Sequence, residues 1–283
     1  MGAMVAPWAV WAQEAAPGST PDTPNERVLV LRHYDNAVGS SDAASEGAIR
    51  ADLLKSRPAL RPAEVLEFVP GVVVTQHSGD GKANQYFLRG FNLDHGTDFA
   101  TRVNGMPVNM PSHAHGQGYT DLNFLIPELV QRIQYRKGPY FAMSSDFALA
   151  GAADIAYRDS LDQDLLDLSV GQRGYKRLLW AGSAAVGSGL QALYALETMN
   201  NDGPWTVPEG LHRRNAVFSL SSTSPQESWQ ASAMSYRAQW TATDQIPQRL
   251  LGVGGFGLFD SLDPSSGGLT ARDSLSWQWQ RQV

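Results

Sequence analysis

The second half of the chain alternates between apolar and polar residues, and this pattern constrains the fold more than any other feature of the sequence. From Asp164 onward, six segments of roughly ten residues follow a period of two. Successive side chains of a strand point to opposite faces, so each segment predicts a strand with one apolar face. This length is typical of membrane-spanning strands, whereas strands in soluble sheets are usually shorter. A membrane-spanning antiparallel sheet is favoured, and a soluble β-sandwich is the alternative. The residues that define the pattern include Leu166, Leu168, Val170, Leu178, Trp180, Tyr194, Leu196, Phe218, Leu220, Met234, Tyr236, Leu275, Trp277 and Trp279.

The connections between these segments alternate in length. Residues 187–189 and 222–227 are short connections, whereas 200–211 and 241–272 are long ones. Short turns at one rim and long loops at the other are typical of outer-membrane barrels. Residues 252–257 match the spelling of a dinucleotide-binding fingerprint, but no helix pattern follows them. We therefore expect a loop there, and no arrangement of nucleophile and base indicates an enzyme.

The composition excludes several classes of protein. The sequence has 283 residues and no cysteine, which rules out disulfides, thiolate metal sites and thiol nucleophiles. A formal net charge of −6 argues against a nucleic-acid partner. No apolar run reaches the roughly 18 residues that indicate a transmembrane helix. Nothing in the sequence predicts a bound cofactor.

The first 56 residues predict processing and linker segments. Residues 1–12 are apolar and end in Val-Trp-Ala, which resembles a signal-peptidase site without the basic start of a signal peptide. We therefore expect a signal-peptide remnant and a reading frame that begins upstream. Residues 13–56 predict a linker, in which residues 27–31 form a short apolar stretch able to add to the edge of a partner's sheet. Its members are Arg27, Val28, Leu29, Val30 and Leu31.

Residues 57–158 predict a compact unit of short strands and helical turns. A helix is expected to begin near Arg61 and to end at Pro70-Gly71. Asn104-Gly105, flanked by two apolar stretches, is a strong signal for a type I′ hairpin. The other predicted elements are strands at 72–74, 85–91, 99–103, 106–108, 133–136 and 152–157 and a helical turn at 125–130.

Five motifs in residues 58–157 resemble, in the same order, the plug domain of TonB-dependent outer-membrane receptors. That family carries a helix before Pro-Gly and a strand, an Arg-Gly after a strand, a Val-Asp-Gly-x-Pro hairpin, an Ile-Glu-x-x-x-Gly-Pro segment and a small-residue segment before an aliphatic strand. Asn104 replaces the usual Asp and Gln134 the usual Glu, and both keep a polar group. The corresponding segments are residues 64–72 (EVLEFVPGV), 87–91 (FLRGF), 103–107 (VNGMP), 133–139 (IQYRKGP) and 150–155 (AGAADI).

The resemblance implies a fold and a mechanism. It implies an α+β plug at 57–158 followed, from 164 to 283, by the first strands of an antiparallel transmembrane β-barrel of about 22 strands. Six strands cannot close such a barrel, so we expect the sequence to be a fragment. The family's members lie in the Gram-negative outer membrane, in contact with its lipid. They take up a scarce ligand, most often a siderophore–iron or other metal chelate, using energy delivered by TonB and its inner-membrane complex. Residues 27–31 lie where the family's TonB box is expected.

Histidines in the predicted plug are the candidate ligand contacts. Four of the six histidines lie between residues 77 and 115, and two of them form a His-Ala-His stretch in a glycine-flanked loop. Neutral imidazoles near the plug's extracellular tips are suited to a metal, a metal chelate or an anionic ligand. The alternative is that they hold plug loops against the barrel, as is also expected of Arg89 and Arg102. A surface protein that senses a ligand without transport remains the alternative function. The candidates for ligand binding are Asp94, His95, His113 and His115.

Overall fold

The computed structural model describes residues 34–35, 39–43, 45–76, 78–144 and 146–281. The predicted signal remnant at 1–12, the candidate TonB box at 27–31 and His77 lie outside these ranges. None of the helices in the described part of the chain has the length and apolar character needed to cross a bilayer.

Two sheets of short strands, between residues 34 and 157, form the first unit, which is called the plug below. A seven-stranded sheet has the order β1-β2-β3-β9-β10-β7-β8, in which β10 runs parallel to β7, and a three-stranded sheet has the order β4-β5-β6. The strands are β1 (Tyr34–Asp35), β2 (Gly39–Ala43), β3 (Glu46–Arg50), β4 (Val72–Thr75), β5 (Gln85–Leu88), β6 (Phe91–Asn92), β7 (Phe99–Val103), β8 (Met106–Pro107), β9 (Val130–Lys137) and β10 (Gly151–Tyr157).

The plug begins earlier than the predicted boundary at residue 57. β3 pairs antiparallel with β9, from Glu46 opposite Arg136 to Arg50 opposite Arg132. Ile49 is buried in the core, and the helix α1 (Ala51–Leu54) follows directly. Residues 46–54 are therefore part of the plug and not a linker. Their partner lies about 85 residues further along the chain, so local sequence patterns carry no sign of the pairing.

The helical turn near Arg61 and the hairpin at Asn104-Gly105 form where the sequence predicts them. The helix expected near Arg61 is a 3₁₀ helix, Pro62–Phe68, whose first turn is closed when the Glu64 carboxylate accepts the N–H of Arg61. Further 3₁₀ turns are Pro127–Leu129 and Ala142–Ser144. Asn104 and Gly105 have φ angles of 46° and 73°, as a type I′ hairpin requires.

Six antiparallel strands, called the wall below, form the second unit. All six predicted segments are strands, and they pair in chain order. Alternate residues are buried on the face towards the plug, such as Leu179, Leu193 and Val217, while the outer face exposes large apolar side chains such as Leu168 and Trp277. This division is typical of a barrel wall that faces lipid on one side. The strands are β11 (Leu165–Val170), β12 (Lys176–Gly187), β13 (Leu190–Asn201), β14 (Leu211–Thr223), β15 (Glu227–Thr241) and β16 (Gly267–Arg281).

The two rims of the wall differ, as the sequence predicts. Residues 188–189 and 224–226 form the short-turn rim, and residues 171–175, 202–210 and 242–266 form the long-loop rim. The glycine-rich 252–257 stretch lies in the last of these loops, among the 3₁₀ turns Gln248–Leu250 and Val253–Gly255, and is not preceded by a strand. Its resemblance to a dinucleotide fingerprint is therefore one of spelling only.

Candidate functional site

A loop of the plug, residues 111–118, carries the His-Ala-His stretch and is closed at its base. Met110 and Tyr119 form an isolated antiparallel bridge, with the N–H of Met110 donating to the Tyr119 carbonyl at 3.0 Å. The Asn109 amide donates to the carbonyls of Gly96, Phe99 and Gly118 at 2.9–3.0 Å. These bonds hold the loop base against the segment that carries His95.

His95 is held in one orientation by backbone carbonyls. Its side chain is 2% exposed, and Nδ1 lies 3.0 Å from the carbonyl oxygens of both Ala83 and Asn84. Carbonyl oxygens only accept hydrogen bonds, so Nδ1 carries a proton. Nε2 points to the Asp94 carboxylate, with Oδ1 at 3.8 Å.

Asp94 and His115 complete a group on the surface of the plug. Asp94 adopts a left-handed φ of 48° and is exposed, and its Oδ2 lies next to Gly116, where a side chain would crowd it. The His115 ring is exposed and meets the His95 ring edge-on, with 4.4 Å between centroids. The potential ligand atoms of Asp94, His95 and His115 all lie within 4.8 Å of one another. The structure thus brings together three of the four candidates.

His113, the fourth candidate, is directed away from this group. Its ring stacks on Tyr119, with centroids 3.9 Å apart and an interplanar angle of 7°. Its Nδ1 accepts the N–H of His115 at 3.1 Å, so that lone pair is already used. His113 therefore helps to orient the loop, and its contact with a ligand stays a prediction.

Two residues that the sequence did not single out follow the histidine loop, and one of them, Tyr119, contacts the histidine rings. The Tyr119 hydroxyl accepts the N–H of Ala83, and burial raises the pKa of Tyr119 to about 12. Burial also raises the pKa of Asp121 to about 6, while the N–H of Asn123 and two wall arginines act in the opposite direction. Both residues follow the loop directly, in the sequence Gly-Tyr-Thr-Asp. The wall arginines are Arg272 and Arg213.

The plug contacts the long-loop rim at Asp80, three residues before Ala83, whose carbonyl bonds His95. The N–H of Asp80 donates to Oε1 of Glu209 at 3.1 Å, and the Asn201 amide donates to the Asp80 carboxylate at 2.7 Å. Trp205 Nε1 also donates to Glu209, at 2.7 Å. The segment that leads to Ala83 and His95 therefore starts at this rim, which places the histidine group on the side of the long loops.

Glu209 makes the contact between plug and rim sensitive to pH. Burial first, and the Asp80 carboxylate second, raise the pKa of Glu209 to about 7, and the nearby Arg61 acts in the opposite direction. The ordinary value is 4.5, so the contact is expected to gain stability as the pH falls from about 7 towards 4.5. Glu209→Gln keeps the acceptor oxygen and removes the charge, and should abolish this dependence. Hydrogen exchange of residues 202–210 between pH 5 and 8, corrected for the intrinsic rate, measures it. An unchanged pH slope in the variant would contradict this assignment.

A cluster of charged residues joins the plug to the inner face of the wall. Arg177 donates to both carboxylate oxygens of the plug residue Glu128, at 2.7 and 3.1 Å, and its Nε donates to Glu197 at 2.7 Å. Glu197 is 1% exposed and also accepts from Arg213 and Asn215. The sequence did not predict this cluster, because its members come from three separate strands and one plug turn.

Arg102, by contrast, does not join the plug to the wall as expected. Its guanidinium lies 3.4 Å from the Asp154 carboxylate and donates to the Met143 carbonyl at 2.9 Å. Both partners belong to the plug. Arg102 and Asp154 are opposite each other on the parallel strands β7 and β10. They are neighbours only because these two strands are adjacent in the sheet, which the sequence does not reveal.

Comparisons with known proteins agree with this architecture. The family model described as TonB-dependent Receptor Plug Domain matches residues 40–152. The siderophore receptor PirA from Acinetobacter baumannii superposes with a TM-score of 0.57 at 15% identity, over 84% of this chain and 37% of that chain. The unliganded ferric citrate transporter FecA gives 0.67 at 13% identity, over 84% and 37%. The copper transporter OprC gives 0.53 at 18% identity, over 68% and 30%.

The fold and the family match define the class of protein. Residues 40–152 are a TonB-dependent receptor plug, and the wall has the antiparallel strands of a receptor barrel. The match places residues 40–152 in a domain found in TonB-dependent receptors, which are transporters and receptors of the Gram-negative outer membrane. The chain spans about a third of the length of the receptors it matches. The full count of about 22 barrel strands stays a prediction.

Proposed function

We propose that this chain is the plug and the first part of the barrel of a receptor that takes up a scarce ligand, with a metal chelate such as siderophore–iron as the favoured cargo class. The observation that carries the proposal is the position of the histidine group. Asp94, His95 and His115 lie on a plug whose neighbouring segment contacts the long-loop rim through Asp80 and Glu209. A ligand that enters from that rim would meet this surface of the plug first.

The contact between plug and wall supports transport over simple surface binding. The plug covers the inner face of the wall through hydrogen bonds and ion pairs, among them Arg177 with Glu128 and Arg272 with the Val108 carbonyl at 2.7 Å. Apolar side chains such as Leu193 and Val217 are buried in the same interface, but the polar contacts can be solvated when the plug moves, which lowers the cost of separating them. Receptors with this fold include proteins described as a ferric citrate transporter and a copper transporter.

We propose TonB, with its inner-membrane energising complex, as the partner and residues 27–31 as the segment that binds it. An extended segment that adds to a sheet edge gains main-chain hydrogen bonds largely independently of its side chains. Outer-membrane lipid is the second proposed partner. The outer face of the wall exposes the apolar side chains that such contact requires, including Leu166, Leu168, Val170, Trp180, Phe218, Leu275, Trp277 and Trp279.

Leu29→Pro tests the coupling step. Proline removes an N–H and fixes φ, so it should prevent strand addition by the proposed box. In cells that express the full-length receptor, the variant is expected to bind radiolabelled ferric chelates as the wild type does but to accumulate none. Leu29→Val is the control, because it keeps the N–H and a β-favouring side chain. Accumulation at the wild-type rate would place the box elsewhere, and binding without accumulation in the wild type would favour the sensing alternative.

A further inference from the structure

We propose that Asp94, His95 and His115 bind a divalent transition-metal ion directly, so that this surface accepts a bare or weakly chelated ion. The inference rests on the proposed uptake function and deepens it by naming the chemistry of the cargo. Two imidazoles and one carboxylate have potential ligand atoms within 4.8 Å of one another. Other features of the site support metal binding over chance proximity.

The first feature is the hydrogen bonding behind His95. Metal-binding histidines almost always donate their second ring N–H to a carbonyl or carboxylate, which fixes the tautomer and the ring orientation. His95 has this arrangement, with Nδ1 3.0 Å from the carbonyls of Ala83 and Asn84 and Nε2 directed to Asp94. Ala83 is itself held by Tyr119, whose hydroxyl accepts its N–H. The ring is therefore oriented for a ligand before any ion arrives.

The second feature is electrostatic. Nε2 of His95 lies 3.8 Å from the Asp94 carboxylate. In the neutral ring Nε2 carries a lone pair, so a cation bound between the two groups would interact favourably with both. The third ligand, His115, lies with its ring centroid 4.4 Å from that of His95, on the exposed side of the group.

The third feature is the mobility that closure requires. Ligand atoms about 2.1 Å from one ion are at most about 4.2 Å apart, so the group must contract slightly to bind. The Asp94 side chain is 53% exposed and His115 is exposed, so both side chains can rotate, while His95 stays in place. One fixed ligand and two movable ones suit an ion that must enter and leave.

The donor set selects the class of ion. Imidazole nitrogens suit Zn²⁺, Cu²⁺, Fe²⁺ and Ni²⁺, whereas Ca²⁺ and Mg²⁺ prefer sites made of oxygen ligands. Three protein ligands leave at least one coordination position for water or for a small chelator that carries the ion. The exposed side of the group is where this position would lie.

Zinc titration of the purified full-length receptor in detergent, against a chromophoric chelator, tests the site. His115→Ala and Asp94→Asn change exposed side chains, so folding should be retained, whereas the buried His95 is left unchanged. Each variant is expected to bind Zn²⁺ at least about 100-fold more weakly, because the loss of an outer-shell partner alone costs roughly 10- to 100-fold. His212→Ala is the matched control, because this exposed histidine lies on β14 of the wall and should leave the affinity unchanged.

Cu²⁺ bound to the same proteins gives a readout that a purely structural role would not change. Electron paramagnetic resonance should detect two coordinated imidazole nitrogens in the wild type and one in His115→Ala. Equal zinc affinity in both variants and the wild type, or an unchanged copper spectrum in His115→Ala, would overturn the inference. Binding is measured without energised transport, so the two proposals can fail separately. Energised uptake of ferric chelates with no zinc site would refute only the inference, whereas a zinc site without accumulation of any cargo would refute the uptake function.

Discussion

Replacement of Arg177 by methionine is expected to weaken the docking of the plug on the wall by about 1.5–3 kcal/mol, the usual contribution of hydrogen bonds to a charged group. Arg177 uses all three guanidinium nitrogens, two for the plug residue Glu128 and one for Glu197. Without it, Glu197, which is 1% exposed, keeps only Arg213 and Asn215 as partners. Methionine fills much of the volume but cannot compensate the charge.

Hydrogen exchange of the full-length receptor measures this effect at residues 126–137, which include Glu128 and β9. The expected loss of protection is about 10- to 100-fold, because each 1.4 kcal/mol changes an equilibrium roughly tenfold. Arg177→Lys should recover only part of it, since an ammonium group lacks the guanidinium's fork of donors. Arg237→Ala is the control, because its ion pair with Asp273 is exposed and should matter little. Equal protection in Arg177→Met and the control would contradict the proposed role of this cluster.

Asn109→Ala is expected to release the base of the histidine loop. The side-chain oxygen of Asn109, Oδ1, accepts a hydrogen bond from the N–H of the buried Thr101 at 2.8 Å. The side-chain NH₂ group of Asn109 donates to three backbone carbonyls. The buried N–H of Thr101 loses the acceptor at a cost of about 1–3 kcal/mol. The three amide bonds add roughly 1 kcal/mol each at most, since the carbonyls of Gly96 and Gly118 keep other donors, so the loop base should be destabilised by about 3 kcal/mol. The reason is desolvation, because water cannot readily replace the lost amide.

Exchange of the amides of Thr101 and Gly118 measures this second effect. Thr97→Val is the graded control, because Thr97 makes one hydrogen bond at the same loop base, from its hydroxyl to the Gln117 carbonyl at 2.8 Å. Loss of that single bond should cost about 1 kcal/mol or less. If the two variants accelerate exchange equally, Asn109 does not hold the loop as the structure indicates.

The wall could be predicted from the sequence because its strands depend on a local pattern. Alternation of apolar and polar residues marks a strand with two unlike faces, so segments such as 211–223 and 227–241 are visible without knowledge of their partners. It does not report which face is buried, because Phe218 is exposed whereas Tyr236 is buried. The Asn104-Gly105 hairpin was predictable for the same reason, since its positive φ angles depend on two adjacent residues. The strand β3 was missed, because only its pairing with β9 makes it a strand of the plug.

The candidate site was predictable in composition but not in geometry. The spacing of His113 and His115 identified the loop, yet their roles differ because the ring of one stacks on Tyr119 and that of the other meets His95. The orientation of the His95 ring depends on the carbonyls of Ala83 and Asn84, which lie 3.0 Å from Nδ1. Every residue has a backbone carbonyl, so the sequence cannot show which carbonyls bind the ring. Ion pairs such as Arg177 with Glu128 depend in the same way on how the plug meets the wall.

The central claim, energised uptake, is tested most directly by the accumulation of labelled cargo in cells that express the full-length receptor. Radiolabelled iron, supplied as siderophore and citrate chelates, and radiolabelled zinc are presented before and after the proton-motive force is dissipated with a protonophore. The account predicts that at least one probe accumulates well above one equivalent per receptor, and that accumulation falls to the level of surface binding once the force is removed. If the protonophore changes the uptake of none of the probes, energised uptake is contradicted.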